Sequence, residues 1–237
     1  MPTQDHTIPK SESWQMFNDI SPRYDLLNRL LSLGLDHHWR HCLARFLPTV
    51  NNINILDLAT GTADVLLTIV KYVPVGRATG LDLADKMLEI GRAKIEKQGL
   101  GGKIKLQHGD AVNTLLPDDS FDAVTMAFGI RNVPVPLNVL REMRRVLNKN
   151  GRALILEFSL PANRLLRGLH LFYLRTVVPA IGGMVSGHGE AYRYLNQTIE
   201  QFPYGKDFCR LMAEAGLKNV SAHPLLGGVA TIYVGEK

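Results

Sequence analysis

The sequence predicts an α/β fold, a doubly wound and mostly parallel seven-stranded sheet, and three observations carry that expectation. Short, β-rich apolar runs alternate with helical patterns between about residues 53 and 159. Each strand–helix–strand step implies a right-handed crossover, and therefore parallel neighbours. The last two apolar runs are joined by a short connection, which sets an antiparallel pair at one edge of the sheet. Three of the strand candidates also end on aspartate, and ligands of open α/β sheets lie beyond those carboxyl ends.

Taken in order, the chain opens with a helical preface over residues 11–47. Strands are expected at 53–59 (INILDLA), 77–83 (RATGLDL), 103–109 (KIKLQHG), 121–128 (FDAVTMAF) and 152–159 (RALILEFS). Helices are expected at Asp64–Tyr72, Asp85–Lys97 and Pro136–Leu147, with Gly99 and Gly151 as stop signals. Residues 160–200 interrupt the alternation as an insertion after the fifth strand, either a lid over the crevice or added stability. Gly205–Ala215 reads as a further helix, and Val220–His223 and Ala230–Val234 as the closing strands. One domain, 1–237, accommodates all of this.

Composition narrows the function classes. Of 237 residues, 46% are hydrophobic and 21% charged, ordinary globular values that allow a real core. Cys42 and Cys209 stand far apart, which points to a reducing compartment with neither a disulfide frame nor a cysteine-rich metal site. The polar start MPTQDHTIPKSESW lacks an export segment, and no apolar run reaches the length of a membrane span. A cytoplasmic enzyme is expected. The net charge of +5 does not by itself separate nucleic acid from an anionic membrane surface.

The segment ILDLATGTAD joins a buried strand, a small-residue turn and a helix start. Gly61 lets the backbone approach a ligand closely, and the helix N-terminus suits a carboxylate or phosphate. Thr62 can add a hydroxyl contact. Asp57 can hold the turn or accept from the amino group of a zwitterionic ligand. Asp82, at the tip of the second strand, can accept from both hydroxyls of a ribose. Asp110 follows the third strand in Gly109–Ala111, where it can accept from an adenine amino group, with Ala111 leaving space for the ring. Helix capping is the competing account of each aspartate, and is weakest for all three together.

With these residues placed, the sequence resembles the quinone-biosynthesis C-methyltransferases. The resemblance runs from about Phe17 to Lys237. Its motifs are FNDISPRYDLLNRLLSLGLDHHWR, FDAVTMAFGIRNV, YRYLNQTIEQFP and the ending LLGGVATIYVGEK. It implies the Rossmann-like fold of class I S-adenosylmethionine-dependent methyltransferases, S-adenosyl-L-methionine as cofactor, and a polyprenyl quinol as acceptor. The implied reaction takes demethylmenaquinol to menaquinol, and in some members also methylates a methoxy-polyprenyl-benzoquinol. Cofactor contacts are implied at Thr62, Asp82, Asp110, Ala111 and Ala127. The turn departs from the family pattern, which commonly has glycine where Ala63 stands and cysteine or glycine where Thr60 stands.

Methyl transfer to a ring carbon needs alignment, exclusion of water and phenolate character in the acceptor, and requires no metal. Arg131, in the loop after the fourth strand, is the candidate cation for the phenolate; the alternative is an arginine paired with a lid carboxylate. Asn132 can orient a quinol oxygen. Tyr24, with Arg23 and Asp25, is expected to close the pocket from the preface, the alternative being helix capping and packing. His188, His37 and His38 are the histidines considered as a general base, which is left unassigned. On a helical wheel of the insertion, Arg164, Arg167 and Arg175 share an arc away from Leu165, Leu169, Phe172 and Tyr173. That pattern fits either a lid helix packed on the core or a helix resting on an anionic bilayer. The expected partners are therefore a lipophilic quinol, no nucleic acid and a peripheral contact with the inner face of the membrane. The chain is expected as a monomer or homodimer. A methyltransferase for another lipophilic acceptor and a non-catalytic cofactor-binding module are the alternatives.

Overall fold

The computed structural model describes residues 9–180 and 189–237, without the side chains of 189–193. Seven strands form one sheet: β1 (Ile53–Leu58), β2 (Val75–Asp82), β3 (Ile104–His108), β4 (Phe121–Ala127), β5 (Leu147–Phe158), β6 (Lys218–Leu225) and β7 (Ala230–Glu236). Their order is β3-β2-β1-β4-β5-β7-β6. All neighbours are parallel except those of β7, which runs antiparallel to both β5 and β6. The closing pair is thus antiparallel, as expected, with β6 at the edge.

Both faces of the sheet are covered, which is why its strands read as nearly continuous apolar runs. Side chains alternate between the faces. Ile53 and Ile55 of β1, Leu154 and Leu156 of β5, and Ile232 of β7 join one core. Leu56, Leu58, Ile155 and Tyr233 join the other. The first core is closed by three preface helices, α1 (Ser13–Ile20), α2 (Tyr24–Ser32) and α3 (Asp36–Ala44), together with α4 (Asp64–Tyr72). The buried Trp39 anchors the preface, its ring 6.0 Å from Phe158 and 6.3 Å from Phe128. The second core receives α6 (Pro136–Val146) and, late in the chain, α9 (Lys206–Glu214). Between these elements lie α5 (Asp85–Lys97) and, after β5, α7 (Arg164–Phe172) and α8 (Gly189–Gln201).

One helix stop is misassigned by sequence. α6 ends at Val146, and Leu147 already belongs to β5. Gly151 lies inside that strand, where an added Cβ would meet the Asn148 carbonyl at 2.9 Å and the Asp122 carbonyl at 3.1 Å. Glycine is required there by close approach of backbone, and the left-handed residue beside it is Asn150, at φ 66°. The insertion is corrected as well. Its exposed face carries Leu165, Leu169 and Phe172, while Arg167 donates to the Pro161 carbonyl and Arg175 pairs with Glu200. α7 therefore does not bury Leu165, Leu169 and Phe172 on the core, whereas Tyr173, Leu174 and Val178 just beyond it do pack there, and Arg164 and Arg175 are exposed. Among the described residues, no helix is long and apolar enough to cross a membrane.

Candidate cofactor and acceptor site

The strand order reverses direction between β1 and β4, and that switch point opens a crevice at the carboxyl ends of the strands. A cavity of about 290 Å³ occupies it. Its walls come from the end of β2 and the turns after β1 and β2 (Ala59, Gly61, Asp82, Leu83), the loops after β3 and β4 (Asp110, Ala111, Phe128, Asn132) and the preface (Lys10, Trp14, Phe17, Tyr24). Two of these wall residues, Ala59 and Phe128, hold left-handed backbone at φ 50° and 57°. Such conformations cost about 1–3 kcal/mol each and gather where backbone is shaped around a ligand.

Gly61 sits at φ 54°, and its N–H donates to Asp82 Oδ2 at 2.8 Å. Asp82 Oδ1 accepts from Ala84 N–H at 2.9 Å, so the carboxylate is fixed by the backbone while the residue lines the cavity. Burial raises its pKa above the ordinary carboxylate value, opposed by the N–H groups of Ala84, Gly61 and Leu83. A buried carboxylate with each oxygen holding one donor still has lone pairs for two ligand hydroxyls. Asp110, Ala111 and Ala127 line the same cavity, and Asp110 Oδ1 is steadied by Val112 N–H at 2.9 Å. Ribose hydroxyls at Asp82 and the amino group of a ring at Asp110 and Ala111 fit these carboxylate acceptors, as S-adenosyl-L-methionine requires.

Asp57 belongs to the turn. It accepts from Thr60 Oγ1 at 2.7 Å and from Thr125 Oγ1 at 2.6 Å, the latter contributed by its register partner on β4. It does not line the cavity, and burial pushes its pKa up to about 7 against those two hydrogen bonds. The expectation of a ligand contact at Thr62 is corrected. Its hydroxyl donates to Asp25 Oδ1 at 2.7 Å and accepts from Lys94 Nζ at 2.9 Å. Lys94 also reaches Asp25 at 2.6 Å and Asp64 at 2.7 Å, so this cluster clamps α2 of the preface onto the cofactor turn. Ala63 is left-handed at φ 66°. A Cβ there costs about 1–2 kcal/mol, which is the physical reason glycine suits the turn.

Arg131 is also placed differently from expectation. It is 2% exposed and does not line the cavity. Its Nη1 lies 2.6 Å from Glu157 Oε1 and donates to the Phe128 carbonyl at 2.7 Å, with the guanidinium over the Phe158 ring. The partner is the end of β5 and not a lid carboxylate. Asn132 does line the cavity; its Nδ2 donates to the Phe128 carbonyl at 3.4 Å, and its buried Oδ1 has no partner among the described residues. Tyr24 closes the pocket from the preface, edge-on to Phe17 at 5.9 Å, with its Cε1 3.6 Å from where a Cβ on Gly61 would stand. His37 and His38 do not line the cavity, and His188 lies outside the described residues. Sequence reasoning missed Lys10, Trp14 and Glu157. Trp14 interrupts an otherwise polar opening, and that was the one available signal.

Comparison with known proteins fits this geometry. The ubiquinone/menaquinone biosynthesis C-methyltransferase UbiE of Geotalea uraniireducens is 43% identical, with 94% of this chain and 95% of the relative covered. The demethylmenaquinone methyltransferase of Thermotoga maritima is 42% identical, with 96% of each chain covered. A solved S-adenosylmethionine-dependent methyltransferase from Thermotoga maritima superposes with a TM-score of 0.63 at 18% identity, covering 94% of this chain and 99% of that one. A solved [4+2]-cyclase, SpnF, shares the fold equally well, at a TM-score of 0.65 and 14% identity over 97% of each chain. The fold alone therefore leaves the reaction open, and the sequence relationship decides it. The model of the ubiE/COQ5 methyltransferase family matches residues 7–237, and this chain belongs to that family.

Proposed function

We propose that the protein is an S-adenosylmethionine-dependent C-methyltransferase acting on a polyprenyl quinol, converting demethylmenaquinol to menaquinol. The observation that carries the acceptor class is Asn132 Oδ1, a buried acceptor without a partner among the described residues, in a cavity also walled by Trp14, Phe17, Met126, Phe128 and Val133. A lone buried acceptor costs about 1–3 kcal/mol and is matched by a ligand O–H, while the apolar walls suit a fused aromatic ring. The cofactor, when bound, supplies an electrophilic methyl group. Asp82 holds the ribose and Asp110 the adenine; Asn132 orients the ring hydroxyl; Tyr24, Phe17 and Trp14 exclude water. Arg131, tied to Glu157, positions the turn that carries Asn132.

The quinol's tail must reach a lipid phase, and the outward Leu165, Leu169 and Phe172, at 76%, 60% and 62% exposure, support a peripheral membrane contact on the cytoplasmic side. Flotation with anionic vesicles, compared with a Leu169→Ser/Phe172→Ser variant, tests that part. The reaction is tested by incubating the protein with methyl-labelled S-adenosylmethionine and demethylmenaquinol kept reduced, then extracting the quinone fraction. Label in the methylated quinone is the expected result, and an unlabelled extract overturns the proposal.

A further inference from the structure

Among the described residues that line the cavity, one side chain is cationic, Lys10. It starts a short 3₁₀ turn, Lys10–Glu12, and its carbonyl accepts from Ser13 Oγ at 2.9 Å, which ties the turn to α1. Within the described residues Lys10 forms no ion pair. Two nearby cations do not line the cavity and are each paired, Arg131 with Glu157 and Arg40 with Asp36. Among the described residues, a phenolic acceptor placed here therefore meets one amine that no carboxylate pairs with.

We propose that Lys10 is a catalytic residue, the proton acceptor and counter-ion for the ring hydroxyl of the methyl acceptor; this rests on the reading that the acceptor is a quinol. The neutral amine takes the hydroxyl proton and becomes an ammonium facing the phenolate. The ortho carbon then forms a bond to the transferred methyl as the sulfur–methyl bond breaks, and its electron pair stays on sulfur as the uncharged thioether. The ring is left as a dienone bearing one hydrogen and one methyl at the same carbon. Loss of that hydrogen as a proton to water and return of the Lys10 proton to the oxygen restore the aromatic quinol. One proton is released overall, matching the positive charge lost from the sulfonium.

The surroundings favour an amine that can cycle in this way. Burial lowers the Lys10 pKa first and the Arg131 charge lowers it further, while Glu157 opposes them. The other titratable groups of the site are Tyr24, Asp82 and Asp110 on the cavity wall, and Glu12 on the same turn.

Single-turnover methyl transfer to reduced demethylmenaquinone, measured between about pH 6 and 10 alongside calorimetric S-adenosylmethionine binding, tests the assignment. The wild-type rate should rise with pH to a plateau. Lys10→Met should be at least ~100-fold slower at neutral pH, should lose the plateau, and should keep its cofactor affinity within about threefold. Lys10→Arg, charged but unable to accept a proton, should stay at least ~10-fold slow. A Lys10→Met enzyme with the wild-type rate and profile would overturn the assignment. So would a loss of cofactor affinity equal to the loss of rate, which marks a structural residue. If the wild type transfers no methyl to the quinol, the functional reading itself fails, and the role of Lys10 with it.

Discussion

The Arg131–Glu157 pair offers the clearest separation between support of the site and direct chemistry. The two side chains are 2% and 0% exposed and 2.6 Å apart. Glu157 also receives the Phe158 N–H at 2.8 Å, and the Arg131 N–H at 3.4 Å, but neither donor neutralises its charge. Arg131→Met keeps most of the aliphatic packing and strands a carboxylate in the core. Breaking a buried pair from one side costs about 3–5 kcal/mol, a large part of the ~5–15 kcal/mol that holds a domain together. Removing both charges with Arg131→Met/Glu157→Leu should recover most of that loss and leave the double variant within about 1–2 kcal/mol of wild type. Burial already raises the Glu157 pKa even with Arg131 present. Without the arginine, the fold gains from protonating Glu157, so the single variant's deficit should be larger at pH 8 than at pH 5. Urea unfolding followed by circular dichroism at the two pH values measures all three quantities. A single variant within about 1 kcal/mol of wild type, yet devoid of methyl transfer, would refute the reasoning and return Arg131 to the acceptor.

Three further outcomes follow from the same geometry. Asp82→Ala should weaken S-adenosylmethionine binding by about 1.5–3 kcal/mol per lost ribose contact, read by calorimetry, and near-wild-type affinity would remove Asp82 from the site. Lys94→Met should leave Asp25, Asp64 and Thr62 without their shared cation, at a cost of about 1–2 kcal/mol. It should also speed hydrogen exchange in Tyr24–Ser32, and unchanged exchange there would show that α2 is held by packing alone. Arg145 and Thr114 hold Glu142 at a pKa of about 2 instead of 4.5. A depressed carboxylate stabilises the fold above its unfolded pKa and loses that contribution as pH falls from 4.5 to about 2. Glu142→Gln should therefore flatten the acid limb of stability by about 2–3 kcal/mol, allowing for the solvent that reaches Arg145. An unchanged acid limb would contradict that account.

The parts of the molecule that were legible in the sequence are those set by local rules. α4 and α5 fall on the expected residues, Asp64–Tyr72 and Asp85–Lys97, because periodicity and end signals lie within each segment. Asp82, Asp110, Ala111 and Gly61 were legible because a strand's carboxyl end, and the turn just beyond it, face the crevice in an open α/β sheet. Thr62 and Arg131 were misread in direction, since each is oriented by partners far along the chain: Asp25 and Lys94 for one, Glu157 for the other. Gly151 resembled a helix stop because the strand around it, which brings the Asn148 carbonyl and the Asp122 carbonyl of β4 beside it, is set by pairing with β4 and β7 and not by local signals. Lys10 was invisible for a related reason: a lysine in a polar opening has no pattern until the preface folds over the crevice.

The central claim is that a quinol ring carbon, made nucleophilic in its reduced phenolic form, receives the methyl group. Transfer from S-adenosylmethionine carrying a ¹³C-methyl group, with the product read by NMR, tests it directly. The account predicts a carbon-bound methyl on the ring of the demethylmenaquinone product, formed only when the acceptor is kept reduced. A methyl found on oxygen, or equal transfer to the oxidised quinone, would contradict it.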